Sequence, residues 1–78
     1  MNHQNVKYNL LTAREKEVLH LIIENHTTDS IARELTITFE TAKSHRKKVY
    51  QKLEVNSLVD LMNLYHTVLL QPQFHENN

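Results

Sequence analysis

Residues 27–53 read TTDSIARELTITFETAKSHRKKVYQKL, and two helices are written into them. Thr27 or Thr28 offers a hydroxyl to the free N–H groups of a helix start, and Asp29 suits the positive end of that helix's dipole. Ile31, Ala32 and Leu35 follow at helical spacing, which predicts a short helix over 28–35 with one buried face. Thr36, Ile37 and Thr38 then interrupt the period, with Ile37 as the apolar residue of the turn and Thr38 as the next cap. A longer helix is expected over 39–53. On a wheel of roughly 100° per residue, Ala42, Val49 and Leu53 share one side, while Lys43, Ser44, Lys47, Lys48 and Gln51 project from the other.

The second of these helices also carries the charge of the molecule. The 78-residue chain is formally neutral, with nine Lys plus Arg and nine Asp plus Glu. Five of the nine bases, Lys43, Arg46, Lys47, Lys48 and Lys52, lie between Thr38 and Leu53 with Glu40 as the only acid, so the segment is +4 and the rest −4. Polyanions respond to local potential, so overall neutrality does not exclude nucleic acid as a partner. A short acidic helix, a tight turn and a longer basic helix have the form of a helix-turn-helix, whose second helix fits the major groove of duplex DNA. The competing reading is a solvated basic surface with no ligand.

Outward from this pair, Thr12 followed three residues later by Glu15 makes a capping box, so a first helix is expected over 13–25. Val18, Leu19, Ile22 and Ile23 form its buried face, and Asn25 is a plausible left-handed residue to end it, given that glycine is absent. Asn56 or Ser57 caps a fourth helix over 57–70. Leu58, Leu61, Met62, Tyr65, Val68 and Leu69 give it one broad apolar stripe, widened by Val59, Leu64 and Leu70 beyond what a small core requires. Residues 1–10 read as a flexible leader and 71–78 as a flexible tail, leaving one domain over 11–70.

Composition narrows the alternatives. Without glycine, and with Pro72 as the only proline, tight hairpin turns lack their usual residues, and an all-α fold is expected. Cysteine is absent, and with no apolar stretch after Met1 this leans toward a reducing cytoplasm. No apolar run is long enough to span a membrane. Catalysis finds no support. His20 and Glu24 are an i, i+4 pair with no third ligand in sight, Ser30 beside Asp29 lacks a nucleophile elbow, and no glycine-rich loop exists to cradle phosphate. No enzyme activity, metal site or cofactor is expected.

Leu11-Thr12-Ala13-Arg14-Glu15-Lys16-Glu17-Val18-Leu19, Ile31-Ala32-Arg33-Glu34-Leu35, Ile37-Thr38-Phe39-Glu40-Thr41-Ala42-Lys43-Ser44-His45 and Lys52-Leu53-Glu54-Val55 occur in this order. Together they resemble the LuxR-type (LuxR/FixJ/GerE) helix-turn-helix family, whose pattern runs LTxREREVL, IAxxL, ISxxTVKxH and KLxV. The resemblance implies a four-helix DNA-binding domain of bacterial transcription regulators, with 39–53 as the recognition helix. Carried over by position, Lys43, Ser44 and Lys47 would approach base edges of double-stranded DNA. Thr41, His45, Lys48 and Lys52 are weaker candidates for phosphate or structural roles, with His45 near the core margin. Helix four would form a homodimer contact, which matches the surplus stripe Val59, Leu61, Leu64 and Val68.

Departures from the pattern carry their own expectations. Asn25 and Glu54 stand where glycine is usual, and a Glu54 at positive φ would carry strain of roughly 1 kcal/mol or more. Ala42 replaces a valine, Ser30 replaces a glutamate that would partner Thr27, and Glu40 would repel phosphate near the groove entrance. An alternative function is a protein-interaction module of the same fold, binding another regulator or RNA polymerase through helix four. The DNA-binding region of a sigma-like factor is a narrower one.

Overall fold

A computed structural model describes residues 7–69, with backbone only for Val68 and Leu69. After a short helical stretch at residues 7–9, four helices follow in chain order: α1 (Ala13–Ile23), α2 (Thr28–Leu35), α3 (Phe39–Leu53) and α4 (Leu58–Leu64). A π-helical turn, Tyr65–Leu69, continues α4, and no strand occurs among the described residues. The all-α, four-helix expectation is met, with α2 and α3 bounded where the sequence placed them. α1 ends two residues early, and the segment expected as a single helix over 57–70 starts at Leu58 and changes to π geometry at Tyr65. Leu70 and the tail 71–78 lie outside the described residues.

Each of α1 to α4 starts on a hydroxyl. Thr12, Thr27, Thr38 and Ser57 accept from the backbone N–H of Glu15, Ser30, Thr41 and Asp60, satisfying donors that a helix start would leave open. At Thr12 the box is reciprocal, because the Glu15 carboxylate accepts from the Thr12 N–H at 2.9 Å. Thr27 has no such return bond from Ser30, whose hydroxyl instead pairs with His26 Nδ1 at 2.7 Å.

Three helix ends share one device without glycine. Asn25, Thr36 and Glu54 have φ of 72°, 56° and 58°. After each, the next N–H reaches back five residues, from His26 to the Leu21 carbonyl, Ile37 to Ala32 and Val55 to Tyr50, at 2.9–3.0 Å. This is the Schellman arrangement, and Ile37 and Val55 pack against the core from its closing position. Asn25 and Glu54 were expected here. Thr36 was not, and its branched Cβ makes the left-handed region costlier than for asparagine.

The core gathers Val18, Leu19 and Ile22 of α1, Ile31 and Ala32 of α2, Ala42, Val49 and Leu53 of α3, and Leu61 of α4. α3 packs on both α1 and α2, so its orientation is set by two neighbours while its other face is left to solvent. Leu61, expected on a dimer stripe, is fully buried in the monomer's own core and is removed from that stripe. Helical spacing alone cannot tell which of two adjacent apolar rows on α4 meets the rest of the chain.

Candidate nucleic-acid interface

α3 divides by its environment. Ala42, Val49 and Leu53 are buried, and the opposite side presents Lys43, Ser44, Lys47, Lys48 and Gln51 to solvent. Lys43, Ser44 and Lys47 therefore share an exposed surface at 3.6-residue spacing, on a helix too long for its exposed side to be needed by the core. Glu40 is also exposed, in the first turn, where its charge favours the helix dipole.

The weaker site residues are dispersed. Thr41 is exposed, and its hydroxyl accepts from the Thr38 hydroxyl at 2.9 Å. Lys48 is exposed, whereas His45 is half-buried at the core margin. Lys52 turns inward: its ammonium donates to the Glu15 carboxylate at 2.7 Å and to the Leu10 carbonyl at 3.3 Å. Glu15 is only 3% exposed. Burial pushes its carboxyl up, but the Lys52 hydrogen bond, the Thr12 N–H, the Lys52 charge and the Thr12 hydroxyl outweigh that and hold it below the ordinary carboxylate range. Sequence reasoning missed this pair because its members are 37 residues apart.

The described end of the leader belongs to the same corner. Residues 7–9 are helical, Lys7 bonds Glu54 at 3.0 Å, and Lys16 lies over the Tyr8 ring at 4.8 Å from its centre. Leader residues 7–10 are thus built onto the domain.

A second feature borders the exposed lysines. An open groove of about 510 Å³ has Phe39, Tyr50 and Leu58 as its apolar lining and Lys43, Arg46 and Lys47 as its cations, with Thr28 at one side. Arg46 is held in place by Tyr50, donating to its hydroxyl at 3.1 Å and lying 5.1 Å from its ring centre. The spacing Phe39, Lys43, Arg46, Tyr50 was a readable helical row. What the sequence could not supply was Leu58 from another helix. On α4, Val59 is 68% exposed and Leu64 is partly buried against the core, while the side chain of Val68 lies outside the described residues.

No group of three or more His, Asp or Glu side chains that could hold a metal ion occurs among the described residues, and no described helix is long and apolar enough to cross a membrane.

Comparison with known proteins identifies relatives of this chain. The family model described as bacterial regulatory proteins, luxR family, matches residues 9–65. The spore germination protein GerE of Bacillus subtilis is 39% identical over 59 residues, covering 70% of this chain and 80% of GerE. A putative HTH-type transcriptional regulator of Aeromonas salmonicida is 42% identical over 55 residues, 70% of this chain and 28% of that protein. The transcriptional regulatory protein DesR of B. subtilis is 40% identical over 52 residues, 67% of this chain and 26% of its own length. The chain thus spans less than a third of the latter two relatives. No solved structure matches it. The capped helices, the α2–α3 pair and the matched span together place this chain, as a helix-turn-helix domain, in the luxR family of bacterial regulatory proteins.

Proposed function

We propose that the chain is a sequence-specific DNA-binding domain of a transcription regulator that places α3 in the major groove and performs no catalysis. The observation that carries this reading is the solvent-facing surface of Lys43, Ser44 and Lys47 on a helix fixed from behind by α1 and α2. Lysine and serine can hydrogen-bond the base edges of the major groove, and the rigid mount fixes which edges they meet. Lys48 and Thr41 flank that surface as phosphate contacts, with His45 a marginal one. Lys52 is left out of the set, because recruiting it would uncover the buried Glu15 carboxylate.

A homodimer through α4 would match paired half-sites, with exposed Val59 at its start, Leu64 at its end and Val68 in the π-helical turn that continues it. Exposed Val59 equally favours a second reading, docking of another regulator or RNA polymerase on α4. Gel shift against a randomised duplex pool separates the two, since a pool with no enriched sequence at low salt favours the interaction module. On a selected site, Lys43→Ala and Lys47→Ala are each expected to lower affinity more than on shuffled DNA. Equal loss on both would remove the base-reading role.

A further inference from the structure

The groove beside the lysines has a composition that DNA does not need. Phe39 and Leu58 remain 43% and 44% exposed at its lining, and phosphates and sugars offer little to cover them. We infer that this groove docks an acidic peptide segment of a partner protein, anchored by a bulky apolar side chain, and that docking there excludes DNA.

The charge pattern selects that occupant. Every charged residue lining the groove is a cation, Lys43, Arg46 or Lys47, so an apolar anchor flanked by Asp or Glu is matched at both its parts. Arg46 is already positioned, because Tyr50 holds its guanidinium by a 3.1 Å hydrogen bond and by the ring beneath it. A planar fork fixed in advance loses less entropy on gripping a carboxylate than a free side chain would. Lys43 and Lys47 line the groove and also face the proposed DNA, so one occupant takes both lysines from the other. That exclusion rests on the DNA reading above; the peptide site does not.

Selection of random peptides displayed on phage against the full chain tests the site. The survivors are expected to carry Leu, Phe or Trp among Asp or Glu, and a synthesised survivor should bind about tenfold or more weakly to Leu58→Asp and to Arg46→Gln. Aspartate at the first position of α4 favours the helix start, and circular dichroism confirms that each variant stays helical. Survivors without acidic residues, undiminished binding to folded Leu58→Asp, or no enrichment at all would overturn the site. In a second arm the peptide is titrated into the chain bound to duplex DNA, where release of DNA is expected. A peptide that binds but leaves the DNA in place overturns the exclusion. A chain that binds no duplex defeats the DNA reading, while the first arm still decides the groove.

Discussion

Lys43 and Lys47, a turn apart along the exposed side of α3, extend into solvent, whereas Lys52 in the last turn is drawn onto the buried Glu15 carboxylate at 2.7 Å. The same side chain on the same helix is a free cation at one end and a structural tie at the other. The difference is made by what the rest of the chain brings up: the groove beside Lys43 and Lys47 is lined by no acid, while α1 presents Glu15 and the leader presents the Leu10 carbonyl and Lys7 to the other end. A count of basic residues therefore overstates the surface available to DNA. Position relative to the neighbouring helices, more than charge, separates the solvent-facing lysines from the one that holds the fold.

The sharpest way to break this comparison is to remove lysines from each end. Lys43→Ala and Lys47→Ala are each expected to cost about 1–3 kcal/mol of discrimination on a selected site, with thermal stability nearly unchanged. Lys52→Ala should do the reverse, lowering the melting temperature while leaving the salt dependence of DNA binding as it was. A salt slope that falls by about one phosphate in Lys52→Ala would mean that the Glu15 pair opens on DNA.

Glu15→Ala follows in size. It removes the capping-box partner and the ion pair together, and the expected loss is about 1–3 kcal/mol by denaturant titration. Lys52 is one-third exposed, so the orphaned ammonium regains water and the loss stays below that of a fully buried pair. The same carboxylate gives a pH signature. Its folded pKa is depressed below the ordinary 4.5, so its contribution is complete above that value and disappears as pH falls through the folded value. The stability gap between the native chain and Glu15→Gln should accordingly be full above the ordinary 4.5 and shrink as pH falls below it through the depressed folded value. A gap independent of pH would mean that the carboxylate's charge does not stabilise the fold.

Much of this fold was legible because its signals are local. Thr12, Thr27 and Thr38 mark helix starts within four residues of the N–H groups they cap, and the basic side of α3 follows from spacing alone. The readings that failed depend on distant parts of the chain. Leu61 could be taken for a dimer residue because α4 has more apolar rows than one, and only the packed core decides which row is used. The Lys7–Glu54 contact joins residues 47 apart, and the groove needs Leu58 beside Phe39 and Tyr50 from a separate helix. Thr36 escaped notice for another reason, since threonine carries no preference for the left-handed conformation it adopts.

The smallest expected effect concerns the residues that close the helices on either side of α3's exposed face. Thr36 ends α2 and Glu54 ends α3, both with left-handed backbones in otherwise matching Schellman bonds. Glycine relieves the Cβ clash at either site but increases the freedom of the unfolded chain, so the net gain is about 0.5–1 kcal/mol at most. Thr36→Gly should realise more of it, because a β-branched residue is the worse fit and no described ion pair is lost. Glu54→Gly gives up the exposed contact with Lys7, which offsets part of the gain. Thermal melts of the two variants should therefore both rise, Thr36→Gly by more, with duplex affinity unchanged because the Ile37 N–H to Ala32 carbonyl bond still sets the turn. A Thr36→Gly variant that melts higher but binds DNA more weakly would mean that stiffness in this turn, beyond its geometry, holds α3 at the angle the exposed lysines require.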